Sequence, residues 1–518
     1  MNDAKLDEVR GRAPVWSRLD TVALILVVVV AAVVRLTGLA HPDELIFDET
    51  YYAKDACWYV NSSEAQCARG ADAPEVHPPL GKWLIGVGIR IFGFDCPDPD
   101  NDIYCKGTST SFAWRIVPAI AGIATVAVMY LLARRLFRST LAASLAAGLL
   151  AFDFLHLVQS RTSMLDIFIP LFGLAGFYFL VLDRDQMRAD DASVWDRPWR
   201  LAAGAAFGAA VATKWSGGLL MLGGLILVVA WSLAARSELP WRQRIAAVFR
   251  SEAATIFVFL LVVPFLLYSL TYIGRFSGTH VAGAPWKQGH VVRTMWDHHH
   301  YMWDFHSNLE STHSYQSPGA SWIALKRPVS YYFCSGETCR PSNNGEYEEI
   351  MATGNPFVWW MSVPALVFVA YRWIRRRNFM GAEGLVLTGF LVTYVPWLVV
   401  DRPALFLFYL LPTVPFMCLA LAYVATKIGQ SWEAKSAIAL FCLGTLGVFA
   451  FYRPVLVGKP LPQPQWDSRI WVFDNCDKPT GGPVTATVTE TIEGQVTTRV
   501  TETTSDTSGM PPEGWCWI

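Results

Sequence analysis

The sequence predicts an all-α polytopic membrane protein. Three observations point there. Of 518 residues, 53% are hydrophobic and only 16% charged, and the mean hydropathy is +0.31, well off the soluble average. Apolar runs long enough to cross a hydrocarbon layer of about 30 Å recur along the chain. The runs are continuous rather than alternating, which selects helices over a barrel.

About eleven such runs are present. They are Thr21 to Leu39, Trp114 to Leu132, Leu141 to Leu155, Met164 to Leu182 and the short Leu201 to Ala212, followed by Gly217 to Ala234, Ala254 to Ile273, Phe357 to Tyr371, Gly384 to Val400, Ala404 to Ala425 and Ala437 to Phe451. No small-residue cleavage site follows the first run, so it reads as a retained helix. Basic residues set the orientation, because Lys and Arg concentrate in cytoplasmic loops. Arg10, Arg12 and Arg18 precede the first span; Arg134, Arg135 and Arg138 follow the second, and the loops 184–200, 236–250 and 372–377 fall on that side too. The N-terminus is therefore expected inside and, with an odd count, the C-terminus outside.

Cysteines test this topology, since disulfides persist in oxidising compartments. Cys57, Cys67, Cys96, Cys105, Cys334, Cys339, Cys476 and Cys516 all fall in segments assigned outside, while Cys418 and Cys442 sit within spans. Nearest-neighbour pairing joins Cys57 to Cys67, Cys96 to Cys105, Cys334 to Cys339 and Cys476 to Cys516, although spacing alone does not fix connectivity. Paired zinc-ligand spacing is missing.

The expected organisation is a cytoplasmic segment 1–20, a transmembrane domain 21–452 and an outer tail 453–518. Outer loop 40–113 contains an apolar run, 83–94, too short to span and so read as an interfacial helix. Outer loop 275–355 is dense in aromatics and histidines, as an interfacial belt is. Its run His298-His299-His300 invites a metal-site reading, but consecutive helical residues point apart and seldom converge on one ion. In the tail, Pro483 to Ile492 and Gln495 to Thr503 alternate Thr with apolar residues around Glu493-Gly494, a β-hairpin pattern; a Thr-rich stalk is the competing reading.

Chemistry is expected at Asp48-Glu49, just outside the first span. A carboxylate there can take a proton from an attacking hydroxyl. The competing structural reading makes Asp48 the N-cap of a helix starting at Glu49. Arg115, Arg161, Lys214 and Arg402 all lie on the outer side, against the positive-inside bias, and suit a lipid phosphate. Asp166, two residues into the fourth span, needs a counter-charge, for which Arg161 is a candidate.

Several motifs resemble the protein O-mannosyltransferases, a family with the membrane-embedded GT-C glycosyltransferase fold. They are Phe47-Asp48-Glu49-Thr50-Tyr51-Tyr52-Ala53-Lys54, His77-Pro78-Pro79-Leu80-Gly81-Lys82, Arg115-Ile116-Val117-Pro118-Ala119, Ser160-Arg161-Thr162-Ser163-Met164-Leu165-Asp166 and Lys214-Trp215-Ser216-Gly217. Trp303-Asp304-Phe305-His306, His313-Ser314-Tyr315-Gln316-Ser317 and Lys326-Arg327-Pro328-Val329 follow. The resemblance implies inverting transfer of mannose from polyprenyl-phosphate-mannose to Ser or Thr hydroxyls of exported polypeptides, met during translocation at the outer membrane face. Asp48 would be the base and Glu49 would hold the acceptor peptide. Arg115, Arg161, Lys214 and Arg402 would bind the donor phosphate, with His77, His306 and His313 near donor and acceptor. Residues 275–355 are too short for the β-trefoil MIR module of eukaryotic members, and Ser314 stands where proline is common. The missing module implies the bacterial, actinobacterial-like branch, a plasma-membrane site and a polyprenol carrier. No metal site is assigned, no cofactor is expected beyond the lipid donor, and no nucleic-acid partner is expected. Competing functions are a GT-C transferase with a lipid or polysaccharide acceptor and a lipid-linked sugar transporter.

Overall fold

A computed structural model describes residues 15–61, 66–68, 75–98, 102–186, 195–272, 291–309, 313, 315–335, 346–377, 380–400, 402–428 and 431–470, and the strands 484–492 and 495–503. Among these, nine helices are long and apolar enough to cross a membrane. The first crossing, α1 (Arg18–Leu36), starts on a capping box in which Ser17 and Asp20 satisfy each other's backbone donors. Two helices follow in the loop after it, α2 (Glu49–Asn61) and α3 (Leu80–Phe92). The interfacial helix expected over 83–94 thus begins and ends earlier, stopping at Gly93, whose φ of 90° suits a residue without a Cβ.

The second crossing is α4 (Ser111–Phe137). The third is broken: α5 (Thr140–Ala151) and α6 (Phe154–Arg161) meet at 59°. Asp153 causes the restart, accepting from the His156 N–H as the N-cap of α6. A 3₁₀ turn, Leu165–Ile167, leads into α7 (Phe168–Asp185), which packs on α8 (Pro198–Thr213). At 16 residues α8, the expected short fifth span, is shorter than those nine; a helix stands at each of the eleven expected runs, and nine of the described helices, or ten with the broken pair, are long and apolar enough to cross. Then come α9 (Gly217–Ala235), α10 (Trp241–Leu270), the loop helix α11 (Val291–Ser307), α12 (Pro356–Arg376), α13 (Ala382–Val399), α14 (Leu407–Ala425) and α15 (Trp432–Leu456). The last crossing runs beyond the expected boundary at 452.

One element was not anticipated. Strands β1 (Val329–Ser335) and β2 (Glu346–Ala352) pair antiparallel in the loop between α10 and α12, and β3 (Leu461–Pro462) adds to β2 from beyond α15. The short runs lie among aromatics that read as an interfacial belt, which masked their period. In the tail, β4 (Val484–Ile492) and β5 (Gln495–Thr503) pair from Val484 with Thr503 to Ile492 with Gln495, the expected hairpin.

Disulfides join Cys57 to Cys67 and Cys96 to Cys105. Cys334 is disulfide-linked; Cys339, Cys476 and Cys516 lie outside the described residues. His298, His299 and His300 do not converge: His298 packs edge-on to Tyr272, His299 meets the Tyr268 hydroxyl at 2.7 Å, and His300 reaches Asp304 at 3.3 Å.

Candidate active site

A cavity of about 660 Å³ opens at one end of the bundle, between the loops 40–113 and 275–355 and the adjoining ends of the spans. Asp48 lines it at the entry to α2, where its carbonyl accepts from the Tyr51 and Tyr52 N–H groups. Asp48 is thus both a helix start and a cavity residue, so the two readings of it are compatible. The preceding Phe47 has a φ of 46°, a left-handed conformation that costs a residue with a Cβ roughly 1–2 kcal/mol. Its ring is clamped: it stacks on Tyr331 of β1 at 4.3 Å and meets Phe408 edge-on at 5.8 Å. The unforeseen sheet therefore helps hold the backbone from which Asp48 projects.

Asp166 and Lys214 face Asp48 across the cavity. Their meeting follows from antiparallel packing: Asp166 stands at the N-terminal end of α7 and Lys214 caps the C-terminal end of α8, each charge suiting its helix dipole. Lys214 Nζ donates to both Asp166 oxygens at 3.0 Å and lies 5.0 Å from the Tyr409 ring centre. The counter-charge of Asp166 is thus Lys214, not Arg161. Arg402 donates to the His306 carbonyl at 3.3 Å and the Tyr409 hydroxyl at 3.5 Å. His77 and His306 stack at 5.2 Å, and His306 Nε2 donates to the Val76 carbonyl at 2.9 Å. His313 completes this wall beside Phe406.

Burial shapes the protonation states. It raises the Asp48 carboxyl to about 6; Lys214 opposes the shift, Asp166 adds to it, and a hydrogen bond from Tyr52 opposes it. Burial, then the charges of Lys214, Lys82 and Arg402, hold His77 well below its usual value, so its imidazole is neutral. His306 is lowered chiefly by burial, as is His313. A carboxylate held near neutrality, beside cations and neutral imidazoles, can accept a proton while an anion departs nearby.

Three expected site residues lie elsewhere. Glu49 is fully buried, with Arg115 Nε and Nη2 at 2.9 and 2.8 Å, Trp114 Nε1 at 3.2 Å, and the Ile46 and Ser163 N–H groups at 3.1 and 2.8 Å. It cannot hold an acceptor, because protein donors occupy both oxygens. Arg115 spends its other donors on the Leu39, Pro42 and Glu44 carbonyls. Arg161 donates to the carbonyls of Arg35, Thr37 and Gly38. Both guanidiniums tie the end of α1 and the loop after it to the bundle rather than facing a phosphate. Asp48, His77, Asp166, Lys214, His306, His313 and Arg402 do share the cavity.

Sequence reasoning missed Asp55, although its offset of seven from Asp48 puts it on the same helical face. Tyr52 and Lys82 lay inside recognised motifs but were given no role. Tyr409, in an apolar run, carried no local signal.

Residues 25–277 match the family described as dolichyl-phosphate-mannose-protein mannosyltransferase, and 291–474 match the C-terminal four-transmembrane region of protein-O-mannosyltransferase. A Mycobacterium tuberculosis protein named polyprenol-phosphate-mannose–protein mannosyltransferase is 30% identical over 513 residues, covering 90% of this chain and 92% of that protein. The protein of that name from Mycolicibacterium smegmatis is 29% identical, covering 86% and 91%. Among solved structures, the Saccharomyces cerevisiae protein O-mannosyltransferase Pmt1-Pmt2 complex bound to the sugar donor superimposes with a TM-score of 0.71 at 17% identity, over 90% of this chain and 94% of that one. That likeness is one of fold.

Proposed function

The chain belongs to the protein O-mannosyltransferase family, and we propose that Asp48 is the base with which it moves mannose from polyprenyl-phosphate-mannose to protein hydroxyls. The reaction is mannosyl transfer from a lipid phosphate to protein, as its relatives' names state. The observation that carries the assignment of roles is the single cavity in which Asp48 faces Lys214, Asp166 and Arg402.

In this reading a Ser or Thr hydroxyl gives its proton to Asp48 as its oxygen attacks the anomeric carbon. The bond from that carbon to the phosphate oxygen breaks on the opposite face, with inversion. Arg402 and Lys214, with the neutral imidazoles of His77 and His306, stabilise the departing phosphate. Charge is well managed: protonation removes the negative charge of Asp48 beside Lys214 as the phosphate gains one, so Lys214 strengthens its hold on the leaving group when the transition state needs it. The phosphoester already activates the sugar, so no further cofactor enters the scheme.

The proposed setting is the plasma membrane, with the N-terminus cytoplasmic and the cavity and C-terminus outside. It is supported by two disulfides in the loop that carries Asp48 and by the basic loops at the opposite end. Acceptors would be exported polypeptides as they cross.

The test compares wild type with Asp48→Asn, at equal expression, for transfer of labelled mannose from polyprenyl-phosphate-mannose to a Thr-rich peptide. Transfer by wild type alone supports the assignment. Equal rates would overturn it; label reaching lipid but never peptide would move the acceptor class, and movement of the donor across the membrane without transfer would indicate a transporter.

A further inference from the structure

Two helical turns along α2 from Asp48, Asp55 lines the same cavity, and its Oδ2 lies 2.7 Å from Lys82 Nζ on α3. The two residues are 3% and 1% exposed. Seven residues of helix advance about 10.5 Å and return to nearly the same face, so Asp48 and Asp55 address one wall from two depths, with Tyr52 between them. That separation matches a pyranose ring with a hydrogen bond at each end. A hexose whose anomeric carbon stands beside Asp48 would therefore reach Asp55 with its far hydroxyls.

We propose that the Asp55–Lys82 pair binds hydroxyls of the transferred sugar away from its anomeric carbon and so determines which hexose is accepted, a proposal that rests on the mannosyl-transfer reading above. The chemistry suits a polyol. A carboxylate accepts from adjacent hydroxyls while an ammonium donates to their oxygens. The setting of the pair is aromatic: Lys82 Nζ stands 5.7 Å from the Tyr59 ring centre, and Tyr59 packs on Trp83. Tying α2 to α3 does not by itself call for charge there, since apolar side chains of similar volume hold helices together as well as a buried ion pair does. On a cavity wall the pair has a use that apolar residues lack.

The experiment measures kcat/KM for polyprenyl-phosphate-mannose and its 2-, 3-, 4- and 6-deoxy forms with wild type, Asp55→Asn and Lys82→Gln. Removing a hydroxyl held by this pair is expected to cost wild type about 100-fold, the worth of a hydrogen bond to a charged group, and that penalty is expected to shrink below about threefold in either variant. Penalties of equal size in wild type and variants would overturn the proposal and leave the pair a structural tie. If the variants do not fold, the wild-type series decides: no deoxy donor below one tenth of the mannose rate would refute it. A wild type that transfers no mannose at all would instead refute the functional reading.

Discussion

Arg115 grips both carboxylate oxygens of Glu49, through Nε at 2.9 Å and Nη2 at 2.8 Å, directly behind the residue assigned as the base. Both partners are buried. Removing one side of such a pair strands a charge in the interior, a loss of about 3–5 kcal/mol. Glu49→Gln and Arg115→Met are each expected to lower the thermal unfolding temperature in detergent and activity together, and the double variant to recover part of the stability. A Glu49→Gln enzyme of full stability, changed only in KM for the peptide, would return Glu49 to the acceptor.

Asp48 gives the pH dependence a sign. Burial raises its carboxyl to about 6, and only the ionised form accepts a proton. Activity should rise with pH through about 6 and level off above it. Asp48→Asn should lower kcat by about 10²–10⁴-fold, the usual contribution of a general base. Stability runs the other way: a folded-state value above that of the unfolded chain means the folded protein binds the proton more tightly. This group therefore favours folding as pH falls through 6, and Asp48→Asn should unfold at or above the wild-type temperature at neutral pH. An inactive variant that also melts early would place Asp48 among the structural residues.

The bundle and the base were legible because each has a local signature. Apolar runs mark the spans, and Asp48 lies in a motif next to one. The third span's break at Asp153 had only a single N-cap to announce it, within an otherwise apolar run. Arg115 and Arg161 misled because an outward-facing guanidinium reads the same whether it meets a phosphate or the carbonyls of a neighbouring loop. That choice depends on long-range packing, such as Arg161 reaching back to Thr37 and Gly38. The pairing of Asp166 with Lys214 depended in turn on the antiparallel packing of two helices, which no residue spacing displays.

Lys214 and Asp166 should move the acid limb in opposite directions. Burial works against the charge of Lys214, but Asp166 and Tyr409 outweigh it and its value is raised, so the ammonium persists through the assay range. Lys214 lowers the Asp48 value and Asp166 raises it. Lys214→Gln should therefore shift the limb above 6 and, by removing charge near the leaving phosphate, lower kcat by about 10²–10³-fold. Asp166→Asn should shift the limb below 6. Limbs that stay in place in both variants would separate Asp48 from the observed titration.

Gly88 tests how closely the cavity depends on helix approach. A Cβ there would lie 2.2 Å from the Ala113 carbonyl oxygen and 3.0 Å from Ile116 Cγ2, so α3 cannot keep its seat on α4 with any larger residue. At Gly81, the second residue of the same helix, a Cβ would meet Leu165 Cδ2 at 2.7 Å and Thr213 Cγ2 at 2.9 Å, next to Asp166 and Lys214. Pushing α3 outward therefore moves Lys82 and loosens the packing behind the Asp166–Lys214 pair. Overpacking of this kind costs about 1–3 kcal/mol, and Gly88→Ala should lose activity along with that stability. Gly148 in α5 is the control, since a Cβ there meets nothing within 4 Å, and Gly148→Ala should gain about 0.5–1 kcal/mol from helix propensity. If thermal unfolding and transfer assays found the two variants alike, the close contact of α3 with α4 would be irrelevant to the site.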